Sequence, residues 1–158
     1  MSIRTVSVSD VSDVRVFVDR CKPLTLHTAV TYGVLFRNFS ELCFVFEDNE
    51  RIIGFLAALR GTSHSDAVYV WQLGVSADMR GQGISHKLLD ALAQSSKSIG
   101  ISKLHVGIEP SNDVSLKVFE SYARKQNQSL KEIGQVDFAD ELSRSDEVDV
   151  VWELSLND

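Results

Sequence analysis

One stretch constrains this chain more than any other: VYVWQLGVSADMRGQGISHKLLDAL, from Val68 to Leu92. An apolar run of strand character ends at Val75. A short polar turn follows, then Arg80-Gly81-Gln82-Gly83, then a segment with helical spacing. The chain must therefore build a strand–turn–helix unit around a glycine-rich turn. Such turns commonly hold phosphates, because their backbone comes close to the ligand, several N–H groups point the same way and the helix N-terminus is electropositive. Two familiar versions do not fit. A dinucleotide fingerprint needs G-x-G-x-x-G, and His86 stands where the third glycine belongs. The sequence also lacks the phosphate loop G-x-x-x-x-G-K-[ST].

Periodicity organises the rest. Ile3 to Val8 alternates like a strand, and Asp10 is placed to cap a helix from Val11 with Val14, Phe17 and Val18 as its apolar stripe. Pro23 breaks that helix. A second helix runs from about Ala29 to Phe39, with Val30, Val34 and Leu35 on one side. Two strands, Leu42 to Glu47 and Arg51 to Leu59, are joined by a hairpin turn. Beyond the Val68–Val75 strand, an amphipathic helix from Gly83 to about Ser98 carries Ile84, Leu88, Leu89 and Leu92, and Gly100 ends it. Lys103 to Ile108 is a strand, stopped by Pro110. A helix capped by Ser111 or Asn112 then runs to about Gln126, with Val114, Val118 and Tyr122 on one face. Residues 127–147 are polar and acidic, with Phe138 and Leu142 as anchors, and Val148 to Leu154 is the last strand. The pattern predicts an α/β (α+β) sheet flanked by helices, in one domain over residues 1–158.

The charge balance narrows the partners. A net charge of -6 argues against a nucleic-acid surface, although a few local cations and backbone N–H groups still suffice for a polyanionic cofactor. Cys21 and Cys43 lie in no CxxC or Cys/His cluster, so they read as buried thiols and no metal is expected. Asp10 and Asp13 interrupt the first apolar pattern, which is unlike a signal peptide, and no apolar run is long enough to span a membrane. A cytoplasmic protein is the expectation.

The glycine turn does fit a third type. Arg80-x-x-Gly83-x-Ser85 resembles the acyl-CoA pyrophosphate loop of the GNAT superfamily of N-acetyltransferases, Q/R-x-x-G-x-G/A, with Ser85 in place of Gly or Ala. PSNDVSLKVF resembles the second signature of that family, N-x-x-A-x-x-L-Y/F, at Asn112, Ser115, Val118 and Phe119. VYVWQLGV and IEPSNDVSLKVFESYARK are most similar to the diaminobutyrate acetyltransferases of ectoine synthesis, as are VDFADEL and DEVDVVWEL. The resemblance implies a mixed, mostly antiparallel sheet with a splayed central strand pair. Gly74, a glycine inside a strand, agrees with a bulge or close approach there.

The resemblance also implies roles. Acetyl-CoA is the acetyl donor, a small primary amine the acceptor, and a homodimer the assembly. Backbone N–H groups around Leu73 or Val75 receive the oxyanion and the pantetheine arm. Arg80, Gly81, Gln82, Gly83, Ile84 and Ser85 hold the pyrophosphate, and Asn112 and Phe119 contact the cofactor. Phe119 stands where many relatives place a proton-donating tyrosine, and Tyr122 lies one turn further on as a packing residue. For a base the choice falls on Glu109, through water; His105 shares its face and reads as a solvent-facing polar residue. Trp71 resembles a tryptophan of the acceptor pocket, with core packing as the other reading. Glu147 and Asp149 occupy acidic positions that face the substrate amine, and Asp146 replaces a histidine. The segment LTLHTAVTY departs from the pattern. Thr25 replaces an aspartate that helps hold the diamino acid, His27 an asparagine and Val30 a tyrosine, while Tyr32 is retained. The alternatives are acetylation of a protein or peptide amine, and a non-catalytic CoA-binding domain.

Overall fold

In the computed structural model, which describes residues 1–156, seven strands form one sheet in the order β1-β2-β3-β4-β5-β7-β6. They are β1 Ser2–Thr5, β2 Cys43–Asp48, β3 Arg51–Arg60, β4 Ala67–Val75, β5 Lys103–Ile108, β6 Lys131–Asp137 and β7 Val148–Ser155. Four helices accompany them: α1 Val11–Arg20, α2 Ala29–Asn38, α3 Ile84–Ser98 and α4 Asp113–Lys125. β4 and β5 are parallel and every other pair is antiparallel, which is the mixed α/β architecture with a mostly antiparallel sheet.

The two faces of the sheet carry separate cores. Phe44, Phe46, Leu56, Val68, Val70, Leu104 and Val106 meet Leu88, Leu89 and Leu92 of α3 and Phe119 and Tyr122 of α4. On the other face Val45, Phe55 and Ala57 meet Val14, Phe17 and Val18 of α1 and Tyr32, Leu35 and Phe36 of α2. Alternation along β2 and β3 sends successive side chains to opposite cores, so these strands are apolar almost throughout. Their hairpin closes through Asn49 and Glu50, both left-handed, at φ 49° and 63°.

Several sequence expectations are corrected. Asp10 does not cap α1. Its carboxylate accepts from the Ser7 N–H at 2.7 Å and takes a bidentate pair from Arg4 at 2.8 and 2.9 Å. In α2 the valines 30 and 34 face solvent, and Tyr32 and Phe36 fill the core with Leu35. Val114 is likewise exposed, and α4 buries Phe119, Tyr122 and Ala123. Phe138 and Leu142 are not core residues: they are 47% and 95% exposed. The polar segment before them contains a whole strand, β6, paired with β7. His105 does not face solvent. It is buried, and its Nε2 lies 2.9 Å from Glu153 Oε2.

Candidate active site

The site begins with one extra residue in β4. Ala57 pairs with Gln72 and Ala58 with Val70, so Trp71 has no partner on β3. The bulge breaks alternation and turns both Trp71 and Gln72 toward the α1–α2 face. Trp71 packs against that core, and Gln72 is hydrogen-bonded to Tyr32 and Thr25 on the same side. The parallel pairing of β4 with β5 runs from Ala67 with Lys103 to Val70 with Val106 and stops there. Beyond the bulge the two strands part, and the edge of β4 from Trp71 to Val75 is open on the β5 side. The Ser76 N–H donates to the Ile53 carbonyl of β3 at 2.9 Å, so by alternation Leu73 and Val75 direct their N–H groups to the open edge. These are the two positions expected to receive an oxyanion and an extended arm. Gly74, expected at a bulge or close approach, marks the approach: a Cβ there would stand 2.6 Å from Leu24 Cδ1 and 2.8 Å from Cys21 Sγ.

At the end of this edge the glycine turn leads into α3. Gly81 and Gly83 have φ of +77° and +74°, left-handed values that suit glycine. Space beside both is open to 4 Å. Gly83 is the N-cap and has no side chain to satisfy the first N–H groups of the helix. Gln82 and Gly83 are exposed, Ser85 is half-buried, and the Ile84 side chain is buried against Gly54 in the core. An exposed turn of backbone donors at a helix N-terminus fits a pyrophosphate, and Ile84 can contribute only its backbone to it. The Arg80 guanidinium, expected on the phosphates, is instead committed to two backbone carbonyls, Val75 at 3.3 Å and Lys22 at 3.2 Å.

On the α1–α2 face the open seam borders an acidic cluster beside Gly107, the first β5 residue beyond the pairing with β4. A Cβ there would stand 2.5 Å from the Tyr69 hydroxyl and 2.9 Å from Asp149 Oδ2, so both groups converge over this glycine. Burial first, then the nearby charges of Glu147 and Glu109, hold the Asp149 carboxyl above its ordinary range. Burial and then Asp149 likewise push the Tyr69 hydroxyl up. Glu109 is exposed just past β5 and accepts from Ser111 Oγ at 2.8 Å. The structure thus brings Glu109, Glu147 and Asp149 together, as the sequence pointed to each separately.

The connection 21–28 between α1 and α2 packs on β4 from Trp71 to Val75. His27 stacks on Trp71 with ring centroids 4.7 Å apart. Gln72 Nε2 donates to the Thr25 carbonyl at 2.7 Å, and the Tyr32 hydroxyl donates to Gln72 Oε1 at 2.9 Å. Tyr32 is therefore no open contact surface. It is fully buried and holds Gln72. The side chains of Phe119 and Asn112 are also spent elsewhere: Phe119 is 3% exposed in the α3–α4 core, and Asn112 Oδ1 caps α4 from the Ser115 N–H at 3.1 Å. Tyr122 donates to Asp90 at 3.0 Å and is a packing residue, as read from the sequence. The sequence reading missed Gln72 and gave Tyr69 no role. The signal for Gln72 was a polar residue inside an apolar run. Among the described residues no cluster of His, Cys, Asp or Glu is placed to hold a metal ion. No helix there is long and apolar enough to cross a membrane.

The fold and the sequence have counterparts among known proteins. Over 104 residues the chain is 33% identical to the L-2,4-diaminobutyric acid acetyltransferase of Halalkalibacterium halodurans, covering 66% of this chain and 55% of that one. Over 103 residues it is 33% identical to the enzyme of the same name from Marinococcus halophilus, covering 65% and 60%. The chain thus spans a little over half the length of these curated relatives. The structure superposes on the diaminobutyrate acetyltransferase of Paenibacillus lautus, solved with diaminobutyric acid and coenzyme A, with a TM-score of 0.84, 23% identity and 99% and 96% coverage. It superposes on the ribosomal-protein-S18-alanine N-acetyltransferase of Escherichia coli at 0.78, with 16% identity and 99% and 94% coverage. At such identities the likeness is one of fold. Residues 14–123 match the profile of the Acetyltransferase (GNAT) family, and with the splayed strands and the glycine turn in the family's places, the chain belongs to that family.

Proposed function

We propose that this protein is an acetyl-CoA-dependent N-acetyltransferase acting on a small cationic amine, a diamino acid related to 2,4-diaminobutyrate. The observation that carries the reading is the meeting of an open β4 edge, ending in an exposed glycine turn, with three neighbouring carboxylates, Glu109, Glu147 and Asp149. Acetyl-CoA, when bound, supplies a thioester carbonyl at the seam. The chain's own groups do the rest. The N–H groups of Leu73 or Val75 stabilise negative charge on the carbonyl oxygen. The acceptor arrives as an ammonium and must lose a proton before it attacks. Asp149, held above the ordinary carboxylate range, takes that proton directly or with Glu109 through water. Phe119 cannot protonate the leaving thiolate, which departs without a dedicated acid, since a thiol has a pKa of about 8.5, and the second proton released by the acylated nitrogen passes through water to that thiolate. The diaminobutyrate acetyltransferases among the relatives support the acceptor class.

Thr25 decides the fit to diaminobutyrate itself. It is exposed, and its backbone carbonyl serves Gln72 while its side chain offers only a neutral hydroxyl. At an exposed position a lost charge partner costs about 0.2–1 kcal/mol. Wild-type protein should therefore turn over diaminobutyrate a few-fold less well than an amine lacking the second charge or presenting it elsewhere, and Thr25→Asp should shift preference toward diaminobutyrate. Thiol release across diaminobutyrate, other diamines, aminoglycosides and peptides with free N-termini tests both statements. Efficient wild-type use of diaminobutyrate removes the role of Thr25, turnover of peptides alone moves the acceptor to a protein N-terminus, and no turnover at all leaves a CoA-binding domain. The buried free thiols Cys21 and Cys43 support a cytoplasmic setting. Exposed Ile133, Val136, Phe138 and Leu142 beside the β6 edge support a homodimer.

A further inference from the structure

Arg80 belongs to the glycine turn by sequence, yet its side chain reaches back across the sheet. Nε donates to the Val75 carbonyl, at the end of the open β4 edge, and Nη2 donates to the Lys22 carbonyl in the α1–α2 connection. The Cys21 thiol shares the Val75 carbonyl at 3.5 Å. Behind this point Leu24 and Cys21 fill the space over Gly74, the Thr25 carbonyl receives Gln72, and His27 lies on Trp71. The connection is thus attached to β4 at four successive places, from Val75 back to Trp71. Arg80 is the outermost attachment, and the cofactor turn supplies it.

We propose that Arg80 is a positioning residue for the acceptor: it fastens the connection 21–28 to the cofactor strand and so fixes the wall of β4 that neighbours the acidic cluster. This rests on the reading that β4 is the shared wall of the cofactor and acceptor sites. A guanidinium suits the task because its donors sit in a rigid fork that spans two acceptors. A lysine keeps the charge but presents it at one point, so the two roles open to Arg80 separate by substitution. A phosphate contact survives as lysine; a two-carbonyl clamp does not.

The test compares wild type, Arg80→Ala and Arg80→Lys by amide hydrogen exchange and by calorimetry with coenzyme A. Exchange in residues 22–28 should quicken by about tenfold in both variants, the size of one charge-assisted hydrogen bond, while residues 81–90 stay at the wild-type rate. Affinity for coenzyme A should fall by less than about fivefold, the reach of an exposed charge. With the amine the wild type turns over fastest, both variants should raise the acceptor KM more than the KM for acetyl-CoA. The proposal is overturned if exchange in 22–28 is unchanged, or if Arg80→Ala loses coenzyme A affinity that Arg80→Lys restores. Should the wild type itself fail to bind coenzyme A, the proposed function falls, and the exchange comparison still decides whether Arg80 holds the connection. If the alanine variant does not fold, the lysine variant carries the same readouts.

Discussion

Asp149 concentrates the conflict between stability and function at a single residue. Its carboxyl is held above the ordinary 3.8 by burial and by Glu147 and Glu109, so the folded protein binds a proton there more tightly than the unfolded chain does. The sign follows: the contribution of Asp149 to stability is intact below the ordinary carboxylate pKa and is lost as the pH rises through the raised value. Asp149→Asn removes the charge and the loss together. The variant should melt higher than wild type at pH 7, with the gap closing below about pH 4, in paired thermal melts. If Asp149 is the base, its single-turnover rate should also fall by about 10²–10⁴-fold. Asp149 and Glu147 were legible in the sequence by resemblance alone. Their proximity to Glu109 was not, because it depends on the β5–β7 register, which brings Asp149 beside Gly107.

Elements were legible where burial is one-sided or complete. The strands at 42–47 and 51–59, the helix from Gly83 and the strand at 103–108 stand within a residue or two of their expected bounds. β6 escaped notice because all seven of its residues are exposed, so no core imposed alternation on it. The face of α2 was misread because Val30 and Val34 look more apolar than Tyr32. The chain buries Tyr32 for its hydroxyl as well as its ring, since Gln72 needs the donor. Within β4 the bulge at Trp71 makes Gln72 the strut between strand and connection. Gln72→Leu would leave the Tyr32 hydroxyl and the Thr25 carbonyl without their partner. Of these two residues only Tyr32 is buried, and an unsatisfied buried group costs about 1–3 kcal/mol, so chemical denaturation should show a loss in that range and the acceptor KM should rise. An unchanged denaturation midpoint would remove Gln72 from its supporting role.

At the scale of the molecule, the family and the mixed sheet were both legible, because the glycine turn and the order of elements survive any detail of packing. Cofactor binding should be visible as stability of the whole chain. A ligand at 100 times its Kd stabilises by about 2.7 kcal/mol, so coenzyme A should raise the melting temperature of the wild type. Gly83→Glu should abolish that rise: it adds a carboxylate beside the expected phosphates and a side chain at φ +74°. A persisting shift would remove the turn from the cofactor site. The open seam has one more implication. Among the described residues the strand ladder between β1–β4 and β5, β7 and β6 is confined to the pairs from Ala67 with Lys103 to Val70 with Val106. Mechanically the sheet is two panels stitched along part of one edge, and the unstitched part is where an extended ligand arm would lie. A ligand arm seated there would act as the missing length of seam and would add to the stiffness against shear that the α3–α4 core already gives.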